Sequence, residues 1–204
     1  MNKQEPVSRI IFFSIIAQFI NLTGIFLIGD ILHLPLFMDT IGTVFIVFYA
    51  GLLPGLIVGL SYNIFRVFFI MLVFGNSFYP WESLYSLCGG AIAFFTWLLY
   101  WKNRNFYLSK TIVFLYLILI SLVTTFASSV IGGSIEAVKR IFFGNQVYVN
   151  PVNNFVVSFL GQHFGLLVSC IFSRIPITLL DRIICTFMGV GIYQLVIKKE
   201  CSQR

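Results

Sequence analysis

The stretch "LPLFMDTIGTVFIVFYAGLLPG", Leu34 to Gly55, sets an aspartate, Asp39, at the head of an apolar run that meets Gly51 and Pro54 before it can cross a bilayer comfortably. A hydrocarbon core of about 30 Å takes roughly 20 helical residues. At about 1.5 Å per residue, a helix of about a dozen residues reaches only about 20 Å. Such a helix needs protein around it and is expected to border a water-accessible depression at one end, because non-helical backbone at membrane depth survives only inside protein or along a cavity. Asp39 then has two readings. As a helix-start residue it caps free backbone N–H groups and meets the positive end of the helix dipole; as a carboxylate at the mouth of a depression it contacts a ligand. Capping is the first expectation.

The rest of the chain agrees with a membrane setting. Of 204 residues, 59% are hydrophobic and 10% charged, with a mean hydropathy of +0.97, well above soluble domains, which are about half apolar. The expected fold class is an all-α integral membrane protein with six transmembrane helices in one domain, residues 1–204. That length leaves no room for a separate kinase, ATPase or other catalytic domain, and no phosphate-binding G-x-x-x-x-G-K-[ST] loop occurs. The net charge of +6 could suggest nucleic acid in a soluble protein. Here the basic residues fall in short connections between apolar runs, which reads as topology, and no nucleic-acid partner is expected.

The apolar runs are Ile10 to Gly29, Thr40 to Leu52, Gly55 to Phe74, Leu84 to Trp101, Thr111 to Ile135 and Ile177 to Ile197. "DILHLP" is expected to leave the first helix, and "GNSFYPWES" reads as a loop. Phe155 to Phe172 is apolar but carries Gln162, His163 and two glycines; it is read as re-entrant or interfacial, since a seventh crossing would turn the basic tail outward. With both termini cytoplasmic, Lys3, Arg9, Lys102, Arg104, Lys110, Lys198, Lys199 and Arg204 lie inside, against Lys139, Arg140, Arg174 and Arg182 outside. The first run is read as an uncleaved span, being too long for a signal peptide and lacking a small-x-small site.

Arg66, in "SYNIFRVFF", is the most informative single residue. Even mild insertion scales charge about 2.5 to 3.5 kcal/mol for a central arginine, so it must face protein or a watery cavity with a partner. Asp39, Glu82 and Glu136 are the candidate partners, and the site reads either as a structural ion pair or as an anion-seeking pocket. Asn63 shares its helical face. Trp81 and Glu82 in one loop, Glu136 near the end of the fifth run and His163 in the re-entrant candidate complete the expected substrate-binding set of Asp39, Asn63, Arg66, Trp81, Glu82, Glu136 and His163. Aromatic area with a few polar groups is the usual makeup of a small-molecule pocket, although a lone ring at a membrane edge is more often an anchor. Gly51, Gly55 and Gly59 form a stripe that admits close helix approach, either internally or to a partner protein.

No catalytic constellation stands out, and an enzyme is not expected. Cys88, Cys170, Cys185 and Cys201 include no C-x-x-C pair, and His33 and His163 lack metal-ligand spacing. Neither a metal nor another cofactor is expected.

"LPLFMDTIGTVFIVFYAGLLPGLIVGLSYNIF" resembles the second and third helices of the substrate-binding S components of energy-coupling factor transporters, in which Asp-Thr-x-Gly opens a helix and a Gly-x-x-x-Gly-x-x-x-Gly stripe follows a tight turn. "IPITLLDRIICTFMGVGIYQLVIKK" is similar to their last helix, with Asp181-Arg182 where Asp-Lys is more usual. The resemblance implies six helices in the bacterial plasma membrane, capture of a vitamin-like molecule from outside, and partners in the form of a T component and two ABC ATPases. One position departs from the pattern: where many S components carry Ala-x-x-x-Ala for docking, the first helix here has Ser14, Ala17, Asn21 and Gly24. Ser14 and Ala17, with the Gly51, Gly55 and Gly59 stripe, are therefore the expected partner-docking residues. Two rival readings are a membrane sensor or assembly subunit acting through partner proteins, and a secondary transporter, which would need an internal repeat that the chain does not display.

Overall fold

The computed structural model describes residues 6–32, 36–74, 80–101, 109–143 and 151–202. These form helices α1 (Val7–Ile25), α2 (Ile41–Ala50), α3 (Leu52–Phe74), α4 (Ser86–Trp101), α5 (Lys110–Phe143), α6 (Pro151–Gly161) and α7 (Leu166–Ser202). A π-helical turn, Phe26–Ile31, prolongs α1, and a 3-10 turn, Pro80–Tyr85, leads into α4. Among the described residues there is no strand. Five helical segments are long and apolar enough to cross a membrane: Val7–Ile28, Leu52–Phe69, Trp81–Trp101, Lys110–Phe142 and Leu166–Lys198. Large apolar side chains such as Phe12, Phe19, Phe126 and Leu195 point outward, as a bundle bathed in lipid requires.

The short helix α2 lies at the centre. Every residue from Ile41 to Phe48 is buried. Val44 and Phe48 pack with Ile92, Leu117, Ile120 and Val190 of α4, α5 and α7, while Phe45 and Ile46 pack with Ala17 of α1 and Val58 of α3. Lipid tails are as apolar as leucine, so this arrangement is held by close packing and internal hydrogen bonds more than by transfer of apolar area out of water. Small residues make the approach possible. A Cβ at Gly59 would lie 2.6 Å from the Gly89 carbonyl oxygen of α4, and one at Gly189 would lie 2.8 Å from that of Ile41. Along α5, Ser121, Thr124, Thr125 and Ser128 are buried with their hydroxyls donating to carbonyls one turn back. These bonds stay within α5, and Ser121 also reaches the Arg182 carbonyl of α7 at 3.4 Å.

Several expected boundaries move. The break after α2 falls at Gly51, whose φ is 90°; Pro54 sits in the first turn of α3, where its missing N–H would have had no helical acceptor. The first helical run continues through Ile31 as the π turn, and Leu32 N donates to the Leu27 carbonyl at 3.0 Å. His33 and Pro35 lie outside the described residues. α5 runs eight residues beyond Ile135, and α7 begins at Leu166, passing through Pro176 without ending. Phe155 to Phe172 comprises the end of α6, a turn at Gln162 to Gly165, and the first two turns of α7. α6 lies against α7 through Val152, Val156 and Leu160, which meet Cys170 and Ile177. At about 1.5 Å per residue, α5 and α7 each exceed 50 Å, well over the hydrocarbon thickness.

Candidate functional site

The described acidic side chains gather toward one end of the bundle, the end where α2 starts and α5 finishes. They form two ionic clusters. In the first, adjacent residues of α7 supply a carboxylate and a guanidinium: Arg182 Nη2 lies 2.7 Å from Asp181 Oδ2 and 2.9 Å from Asp39 Oδ1. Nη1 donates to the Thr40 hydroxyl. The other Asp181 oxygen accepts from the backbone N–H groups of Phe37 and Met38, at 3.0 and 2.6 Å. These bonds hold the extended segment before α2 onto α7 and accommodate Met38 at a φ of 49°. Tyr62 of α3 closes the cluster, its hydroxyl donating to Asp39 Oδ2 at 2.5 Å. Asp181 and Arg182 are both buried.

The second cluster joins α5, α7 and the 3-10 turn. Glu136 accepts from Arg140 Nε at 3.1 Å and from the Tyr85 hydroxyl at 2.8 Å, and lies 3.8 Å from Arg174 Nη2. Arg174 donates to the Tyr85 hydroxyl at 3.2 Å, and its guanidinium carbon lies 5.0 Å from the Tyr85 ring centre. Gly132 makes room for it, since a Cβ there would lie 2.7 Å from Arg174 Nη1. Lys139 and Glu82 pair at 2.6 Å beside this group. Cys88 of α4 packs on α5, its thiol donating to the Ser128 carbonyl at 3.7 Å.

Several expectations change here. Asp39 does not cap α2. The capping side chain is Asn21, reaching over from α1: its Oδ1 accepts from Gly42 N at 2.7 Å and its Nδ2 donates to the Thr43 hydroxyl at 3.0 Å. Arg66 pairs with none of Asp39, Glu82 and Glu136, which meet Arg182, Lys139 and Arg140 instead. Its Nε is buried and lacks a hydrogen-bond partner. Tyr62, one turn earlier on α3, interacts electrostatically with both Arg66 and Asp39. Asn63 is buried beside it on the same helix. Trp81 is 47% exposed, and Glu82 belongs to the second cluster. His163 is exposed in the turn after α6, with a φ of 65°.

Of the expected docking residues, Ala17, Gly55 and Gly59 are buried within the bundle. Ala17 is fully buried against Gly42, and Gly24 against the Met38 carbonyl, so this side of α1 is the seat of α2. The Ser14 hydroxyl, half-buried, donates to the Ile10 carbonyl. Gly55 packs on Val47 and Gly59 on Gly89, leaving Gly51 in the turn with nothing near it.

No family model, characterised protein or solved structure matches this chain. The site therefore has to be interpreted from its own chemistry. Among the described residues no three His, Cys, Asp or Glu side chains gather as metal ligands. Among the described residues, Arg174 Nε and Arg182 Nε in the two clusters, and Arg66 Nε, Ser86 Oγ, Thr96 Oγ1 and Ser129 Oγ outside them, are buried without partners. Sequence reasoning left Tyr62, Tyr85, Arg174, Asp181 and Arg182 out of the site. The signal for the last two was present, since an acid and a base side by side within an apolar helix are costly unless satisfied by other elements.

Proposed function

We propose that this chain is the membrane-embedded substrate-capture subunit of an energy-coupling-factor-type importer, taking a small vitamin-like molecule from the outer side and delivering it with a T component and two ABC ATPases. The reading counts α2 as a sixth, partly inserted crossing, and sets both termini in the cytoplasm of a bacterial cell, with the Asp39 end facing outward. The observation that carries it is the set of buried donors without partners on α3, α4, α5 and α7: Arg66 Nε, Ser86 Oγ, Thr96 Oγ1, Ser129 Oγ, Arg174 Nε and Arg182 Nε. Buried polar atoms are paired in the great majority of cases, so a group of unpaired ones invites a ligand. A handful of fixed donors within apolar walls is the makeup of a small-molecule site.

Purification of the full chain from its native membrane, followed by mass spectrometry of retained small molecules and of co-purifying proteins, tests this reading. A retained water-soluble compound together with an ATPase pair and a second membrane subunit is the expected result. Recovery of a signalling protein with no small molecule would favour a sensor and overturn the proposal.

A further inference from the structure

Resting on that capture reading, we infer that the captured molecule carries one anionic group, a carboxylate or a phosphate, and that Arg66 receives it. Toward the Asp39 end the described residues place Asp39, Glu82, Glu136 and Asp181 against Arg66, Lys139, Arg140, Arg174 and Arg182. Each of these four carboxylates is met by a cation other than Arg66. The geometry identifies the unmatched cation. Arg182 is shared by Asp39 and Asp181, Lys139 holds Glu82, and Arg140 and Arg174 both lie at Glu136. Arg66 alone of the five has no carboxylate within ion-pair distance among the described residues.

On α3, Arg66 lies one turn beyond Tyr62, whose hydroxyl is bonded to Asp39. Its Nε is shut off from solvent and unbonded. Guanidinium is a planar fork of five N–H donors and cannot shed its proton to escape burial. A carboxylate or phosphate matches two of those donors at once, and the bonds are charge-assisted. A neutral ligand would leave the guanidinium without a counter-charge and its open donor in place. A singly charged anion supplies the one and engages the other, and in a low-dielectric site that difference sets affinity. Buried Asn63, three residues earlier on α3, can add an amide to the same ligand.

An anionic lipid headgroup offers the same chemistry, so the test separates the two sources. The full chain is placed in nanodiscs of phosphatidylcholine alone or with phosphatidylglycerol, and thermal stability and calorimetric binding are measured. The probes are matched pairs: nicotinate and nicotinamide, pantothenate and panthenol, biotin and its primary amide. The expected result is that at least one acid binds and that its neutral counterpart binds about tenfold or more weakly, the scale of a lost charge-assisted contact. Arg66→Gln is expected to reduce the acid to the level of the neutral analogue and leave the analogue unchanged. Arg66→Lys keeps the charge without the fork and falls between; it carries the comparison if the glutamine variant does not fold.

Equal binding of acid and neutral analogue, or an acid unaffected by Arg66→Gln, overturns the anion inference and leaves the capture reading standing. Stabilisation by phosphatidylglycerol alone, lost in Arg66→Gln, upholds an anion at Arg66 and overturns capture. No response to any solute or to anionic lipid overturns both.

Discussion

Arg182 and Asp39 are 143 residues apart in the chain, yet the guanidinium of the last helix meets the carboxylate ahead of the shortest one at 2.9 Å. Asp181 beside it binds the backbone of Phe37 and Met38. Two consecutive residues of α7 thus fix where α2 starts, through one ion pair and two backbone bonds. The short helix owes its position to this tertiary clamp as much as to its own sequence.

The clamp predicts an ordering of variants. Arg182→Leu leaves the buried Asp181 and the partly buried Asp39 without their cation, whereas Asp39→Asn leaves Arg182 still paired with Asp181. Removing one partner of a buried pair costs about 3 to 5 kcal/mol, and the arginine variant is expected at or above the top of that range. Asp39→Asn is expected to cost clearly less. Thermal unfolding in detergent checks the order, and equal losses would mean that Asp39 contributes as much as Asp181 to holding Arg182.

A second prediction separates two kinds of glycine. Gly51→Ala meets no atom within 4 Å, yet φ of 90° with ψ of −163° is backbone that only glycine adopts readily, at a cost of about 1 to 3 kcal/mol for other residues. Gly59→Ala has an ordinary helical backbone but drives its Cβ into the Gly89 carbonyl, forcing α3 and α4 apart. Both are expected to destabilise. A second substitution at Gly89 is expected to add little to Gly59→Ala, because the same contact is already broken, and to add its full cost to Gly51→Ala. Melting temperatures of the single and double variants decide the point.

These positions also show what the sequence could and could not reveal. Apolar runs locate the long helices because each must cover itself in lipid or protein along its length. Punctuation was less certain: Pro54 and Gly51 both look like breaks, and only the position of the proline within the first helical turn decides between them. The cap of α2 was illegible for a stronger reason. A residue next to a helix start is the natural local candidate, but Asn21, some twenty residues away, takes the role, leaving Asp39 free for Arg182. The partners expected for Arg66 show the same limit, since Asp39 and Glu82 meet cations that only the tertiary fold brings near.

Asn21 yields a third prediction. Asn21→Ala removes both the acceptor for Gly42 N and the donor to Thr43, within a site that is fully buried. Loss of a cap costs about 0.5 to 2 kcal/mol, and an unsatisfied buried amide about 1 to 3 kcal/mol. Asn21→Asp retains the acceptor and loses the donor. The aspartate variant is expected to be the more stable only where its charge is neutralised, so the gap between the two should narrow or reverse as pH rises from acidic to neutral. A pH series of unfolding curves measures it, and parallel curves for the two variants would argue against the Asn21 bridge.

The two acids near Tyr85 should respond unequally to neutralisation. Glu82 bonds Lys139 at 2.6 Å, but its side chain is 36% exposed, and pairs at the surface contribute only about 0 to 1 kcal/mol. Glu136 is 19% exposed and serves Arg140, Arg174 and the Tyr85 hydroxyl together. Glu136→Gln therefore weakens three contacts and leaves two arginines without a full counter-charge, where Glu82→Gln weakens one that water can replace. The expected outcome is a small change for Glu82→Gln that disappears in high salt, since exposed pairs are screened, and a loss of about 3 kcal/mol or more for Glu136→Gln that persists in salt. Unfolding of both variants at low and high ionic strength tests this directly. If Glu136→Gln proved as mild and as salt-sensitive as Glu82→Gln, the second cluster would be a solvated surface patch, and Arg174 would have to be held in place by Tyr85 and the packing around Gly132.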